Sequence, residues 1–314
     1  MLKKMKLIYC VGLLGLSTYS IAYAQTIKSQ AALAHPDWVQ IPGELIRPEC
    51  VHEIPNGAKV ETVEGRVTGD VTVNGKLLAH YEPCTEEAVA TRHPSPSANR
   101  VGHTPGLDGW VEAAQWDDTN QNVDLIYGNW TVPSNPSENG GLIYLFNGLE
   151  PSVQTYILQP VLQYGVGYAG GGNYWAIASW LVGPSYVFHS PLETTYPGDT
   201  LFGYTEVTGT SGSTLDWRVE AEDDTTGANS WITTSTSGLQ WSWAYAAVLE
   251  AYNISSCAQL PANLHDTFTG TEVYQGTTSY TLETPGWYGA IYDTGGLSCG
   301  FGVGVSGTTS TVYY

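Results

Sequence analysis

The chain has 314 residues, with 30 Asp and Glu against 11 Lys and Arg and a formal net charge of −19. So acidic a balance excludes nucleic acid as a partner, because phosphate binding requires clustered cationic side chains. The composition is that of a globular chain, with 42% hydrophobic residues, 11 Trp and 21 Tyr.

Residues 1–24 begin with Lys3, Lys4 and Lys6, run through the apolar LIYCVGLLGLSTYSIAYA, and close on Ala22-Tyr23-Ala24. This is the pattern of a cleavable signal peptide cut after Ala24, so a secreted or periplasmic protein is expected. No later stretch reaches the ~18 uncharged apolar residues that a membrane span needs. Loss of Cys10 with the signal leaves Cys50, Cys84, Cys257 and Cys299. An even number in an oxidising compartment implies two disulfides; the preferred pairing is Cys50–Cys84 with Cys257–Cys299, among three possible connectivities. No CxxC or HxxxH spacing accompanies them, so no metal is expected.

Residues 25–100 read as a small β segment, either a propeptide or a disulfide-stapled N-terminal region. Within it VTVNGKLLAHY places Asn74-Gly75 between two short alternating runs, a two-residue hairpin turn. The Pro- and Ser-rich stretch His93–Arg100 marks a boundary, and residues 101–314 form the main domain. After Arg100 the only Lys or Arg is Arg218, against 20 Asp and Glu. Acid relieves the self-repulsion of such a region, so either function at acidic pH or an acidic surface that merely confers solubility is expected. From Gly109 onward short runs rich in Val, Ile, Thr, Tyr and Trp alternate with turn residues, as in DLIYGNWTV, TYILQPVLQYG, NYWAIASWLV and QWSWAYAAVLEAYNI. The pattern is all-β, two packed antiparallel sheets forming a β-sandwich, with a hairpin turn at Asp224–Gly227.

Two polar residues stand out in these runs. Gln159 lies among β-branched and aromatic neighbours, and Glu250 is the only carboxylate or cation between Asp224 and His265. A carboxyl in apolar surroundings can hold or take a proton near the working pH, and an amide can donate hydrogen bonds to a developing oxyanion. Gln163, four residues on, shares the face of Gln159 and is the reserve candidate. Trp175 and Trp180 lie five apart, so only one can face a cleft; Trp175 is favoured as a stacking wall, with Ser179 on its side. No GxSxG elbow, phosphate loop or dinucleotide fingerprint occurs, and no cofactor is expected. Two other readings remain: a glycan or cell-surface binder using the many aromatic rings, and a glycosidase using the Glu220, Glu222, Asp223, Asp224 cluster.

The order of motifs resembles the glutamic peptidases of the eqolisin family. GNWTVPS (Gly128–Ser134), YLFNGLE (Tyr144–Glu150), ILQ (Ile157–Gln159), YWAIASW (Tyr174–Trp180), PGDTLFG (Pro197–Gly203), DDTTG (Asp223–Gly227) and VLEAYNI followed by LPANLHDTFTG carry the likeness. The resemblance implies a concanavalin A-like jelly roll and a secreted, acid-active endopeptidase of protein or peptide substrates. It assigns Gln159 as the polarising amide and Glu250 as general base and acid. Where the family carries a carboxylate in its tryptophan-rich strand, this chain has Ser179. An alternative register puts Ala246 opposite the catalytic position, whereas the Glu250 register also aligns LPANLHDTF.

Overall fold

The computed structural model describes residues 35–63, 66–84, 89–90, 105–117, 122–277 and 279–314. The expected signal peptide and the Pro/Ser stretch lie outside the described residues. Among the described residues, regular structure is almost wholly strand, apart from two 3-10 turns, and no helix is long and apolar enough to cross a membrane.

Two large sheets pack face to face. The front sheet has nine strands, and its centre runs Leu107–Asp117, Trp241–Ile254, Leu142–Pro151, Ile157–Gly167, Gly170–Val182, all antiparallel neighbours. The back sheet of eleven strands is centred on His265–Gln275, Leu125–Thr131, Thr200–Ser211, Thr214–Asp223 and Ala228–Ser237. Period-two alternation sends Leu145, Leu162, Ile177 and Leu249 inward, where they meet Trp130, Leu201, Ala221 and Phe268 of the back sheet. The β-sandwich expected from the runs is therefore present, and the turn at Asp224–Gly227 joins Thr214–Asp223 to Ala228–Ser237.

The N-terminal segment is woven into this sandwich. Val51–Glu53 pairs in parallel with Val187–His189 at the front sheet's edge. Lys59–Val63 meets Ala228–Ser237 of the back sheet through Thr233, and Arg66–Val73 and Lys76–His80 continue that sheet. The last two form the hairpin expected at Asn74-Gly75, both with positive φ (51° and 71°). Ile54, Ala58, Val60 and Val71 enter the inter-sheet core with Phe188, Trp217, Ile232 and Trp241. Both expected disulfides are made, with Cα–Cα distances of 5.6 Å for Cys50–Cys84 and 5.4 Å for Cys257–Cys299.

A third, small sheet contains the hairpin Val39–Ile41 and Glu44–Ile46. It lies on the outer face of the front sheet, where Ile41, Ile46, Cys50 and Val51 pack with Trp110, Tyr144, Trp180, Tyr245, Val248 and Tyr252. The front sheet is thereby buried on both faces. Its central strands consequently read as continuous apolar runs rather than clean alternations.

Candidate active site

Alternation fixes which side chains reach the outer face. Leu158 and Leu162 point inward, so Gln159 and Gln163 point outward; Leu249 points inward, so Glu250 and Tyr252 point outward. The strand Leu142–Pro151 separates the two candidates. Tyr144 of that strand is paired with Glu250 on one side and with Gln163 on the other. Gln159 sits opposite the irregularity between Phe146 and Gly148. A β-carbon on Gly148 would meet Leu158 O at 2.9 Å and Gln159 Cβ at 3.3 Å, so the absent side chain makes room for the glutamine.

Gln159 and Glu250 converge on one peptide group. The register Ile41↔Glu44 leaves Pro42-Gly43 as a two-residue loop, with Gly43 at φ 92°, the pattern of a type II turn. Gln159 Nε2 donates to Pro42 O at 3.0 Å. Gly43 N donates to both oxygens of Glu250, at 3.0 and 2.9 Å. The carbonyl oxygen and amide nitrogen so held belong to the single bond between Pro42 and Gly43. The Tyr252 hydroxyl donates to Glu250 Oε1 and also lies 3.4 Å from Ile41 O. Both dyad residues have 0% exposure under this turn. Burial, and then the Glu250 carboxylate, push the Tyr144 hydroxyl far above its ordinary pKa, so Tyr144 stays neutral beside the dyad.

The remaining expected residues fall elsewhere. Trp175 faces the inter-sheet core against Tyr164, with ring centroids 5.1 Å apart. Trp180, not Trp175, lies on the outer face, stacked on His189 at 4.5 Å. Ser179 points inward with Trp175, and its hydroxyl donates to Ser230 O of the back sheet at 2.6 Å, so it ties the sheets together away from the outer face. Gln163 shares the outer face but spends its amide on Gly165 O and Gly170 O, at 3.1 and 2.9 Å. Ala246 is the extra residue of a bulge and packs in the inter-sheet core, so the alternative register would aim nothing at the outer face. The Glu220 carboxylate is held by Arg218, Tyr204 and Asn229, a structural ion-pair network. Among the described residues no group of three or more His, Cys, Asp or Glu is placed to bind a metal.

Sequence reasoning missed Pro42, Gly43 and Tyr252. The Pro-Gly dipeptide in QIPGELI is a turn signal that could have found the first two. Tyr252, two residues beyond Glu250, was legible as a same-face neighbour.

No family model and no curated protein matches the chain. Among solved structures it is similar to scytalido-glutamic peptidase with a peptide-based transition state analog, at 16% identity and a TM-score of 0.41, covering 65% of this chain and 98% of that one. It is also similar to SCP-B, a member of the eqolisin family of peptidases, in complex with the tripeptide Ala-Ile-His, at 16% identity and a TM-score of 0.40, covering 67% and 98%. The enzymatically active domain of bacteriophage CBA120 tailspike protein 2 is more distant, at 10% identity and a TM-score of 0.30, covering 57% and 30%. The resemblance expected from the motifs is thus met among solved structures, at a depth that transfers no activity to this chain.

Proposed function

We propose that the chain is a secreted, acid-active endopeptidase in which Glu250 and Gln159 hydrolyse the peptide bond. The observation that carries this reading is the shared grip on one peptide group, amide on carbonyl oxygen and carboxylate on nitrogen. With a substrate in place of the turn, Glu250 removes a proton from water as the water oxygen bonds to the scissile carbonyl carbon. Gln159 donates its amide hydrogens to the oxyanion. Collapse of the tetrahedral species breaks the C–N bond, and Glu250 returns its proton to the leaving nitrogen, the atom type it already contacts at Gly43. General acid–base transfer supplies ~10² to 10⁴ in rate and one oxyanion donor about 10² to 10³.

Glu250→Gln should abolish cleavage of an unfolded protein substrate at acidic pH while leaving the fold intact, as read by circular dichroism and thermal unfolding. Undiminished cleavage by that variant would refute the assignment. Against the glycan-binding reading, the outer-face rings Trp110, Tyr144, Trp180, Tyr245 and Tyr252 are buried with Ile41 and Ile46 of the hairpin rather than open as stacking platforms.

A further inference from the structure

We propose that the hairpin of residues 39–46 is a tethered, reversible inhibitor of the Gln159–Glu250 site, and that the segment carrying it is retained in the working protein. The first half rests on the peptidase reading for what is inhibited; the second rests on packing alone.

Occupancy is direct. Three hydrogen bonds place the Pro42–Gly43 bond between the dyad residues, and Ile41 and Ile46 seal the outer face around it. The occupant is a closed turn, with the Ile41↔Glu44 pair keeping its ends together. Outside the turn, Gln40 Nε2 donates to Asp108 Oδ1 at 2.6 Å. Among the described residues the hairpin's strands pair with each other and with Val89–Ala90 and with neither large sheet, so the hairpin can lift as a unit while both large sheets stay paired, as sub-global openings do.

The anchor is built differently. Ile54, Ala58, Val60 and Val71 are core residues of the sandwich itself, each no more than 1% exposed. Backbone bonds tie the same stretch to both sheets, among them Ile54 N to His189 O and Gly57 N to Trp231 O, each 2.9 Å. Removing residues 35–84 would strip those four side chains from the core and leave two sheet edges bare. The Cys50–Cys84 disulfide closes the anchor on itself. A cut in the chain beyond Cys84 therefore leaves the hairpin attached, and access to the dyad comes from the hairpin lifting about the short 3-10 turn Pro48–Cys50.

The test uses the full secreted chain with Gly43→Val, a residue that cannot adopt φ 92°, and a head-to-tail cyclised peptide of residues 39–46 as probe. The variant should cleave unfolded protein at least about tenfold faster than the parent, and N-terminal sequencing should find residues 35–84 still present. The cyclic peptide should bind the variant in calorimetry, fail to bind the parent, and return the variant's rate to the parent's. Gln40→Ala, which removes the hydrogen bond to Asp108, should give a smaller increase of the same kind. An active protein lacking residues 35–84, or a folded Gly43→Val variant with parental rate and no uptake of the peptide, would overturn the proposal. Peptide uptake by the variant with no hydrolysis by either protein would uphold the plug and sink the dyad chemistry instead.

Discussion

At the scale of single residues the dyad depends on a missing side chain as much as on those present. Gly148 stands across from Gln159, and a methyl group there would press on Leu158 O and Gln159 Cβ. Gly148→Ala should therefore destabilise the fold by ~1 to 3 kcal/mol, the usual cost of overpacking, and displace the amide from its peptide. Thermal unfolding and peptidase assays together check this: a stable variant with full activity would show that the row tolerates the extra carbon. Gln159 and Glu250 were legible in the sequence because a polar residue within an apolar strand needs a partner, and each has one. The choice of Trp175 over Trp180 failed for a physical reason. Alternation says that the two rings face opposite ways, but with both faces of the sheet buried nothing in the local sequence tells inward from outward.

At the scale of elements the seam between Val51–Glu53 and Val187–His189 is where acid should act on the anchor. His52 stacks on Tyr81 at 4.0 Å and lies 5.5 Å from Phe188; His189 stacks on Trp180 and bonds Ser190 O through Nδ1. Burial, then the charge of His189, hold His52 below its ordinary pKa of 6.5. Burial likewise lowers His189, against the opposing pull of Ser190 O and Glu53. Glu53 is the charged group on the seam itself, while Asp70 and Glu82 lie beyond it, near the Tyr186 hydroxyl. Because the folded seam prefers both imidazoles neutral, its stability is full above the ordinary value and is lost as pH falls through the lowered ones. Amide exchange at Ile54, corrected for intrinsic rates, should accelerate in acid, and His52→Phe should blunt the effect; equal acceleration in the variant would clear His52 of any part in it. The Asn74-Gly75 hairpin of this region was legible from its turn, yet its membership of the back sheet was not. Edge pairing between segments more than a hundred residues apart leaves no local pattern, and the three-residue strands around Pro42-Gly43 are too short to show alternation.

For the whole molecule, charge asymmetry and buried acids favour the same side of the pH scale. Glu112 is fully buried and is pushed by that burial from 4.5 up to about 8, despite the amide groups of Gly302 and Tyr313. Asp266 is pushed by burial from 3.8 to about 8, although Thr267 N donates to it at 2.9 Å. Both surround Tyr314, whose hydroxyl is raised by burial and by the two acids. In the folded chain these carboxyls keep their protons up to about pH 8, whereas unfolded they release them at the ordinary values. Their contribution is therefore full below those ordinary values and drains away as pH climbs toward 8. At ~1.4 kcal/mol per unit of displacement the loss is on the order of several kcal/mol. Glu272, held below the ordinary range by the hydroxyls of Tyr127 and Tyr274, works in the opposite sense, as do the lowered His52 and His189 on the acid side, and the two buried carboxyls outweigh them. With Arg218 the only Lys or Arg after residue 100, self-repulsion among the acidic side chains adds to the loss on the alkaline side. Scanning calorimetry of the disulfide-intact protein should show Tm falling from pH 4.5 to 8. Glu112→Gln, which keeps a neutral side chain in place of the titrating one, should flatten that fall by several degrees, because ~1 kcal/mol corresponds to about 2 to 4 °C for large domains. A Tm that rises across this window in the parent would show that the buried acids ionise without penalty, and with that the acid activity proposed for the chain would lose its structural basis.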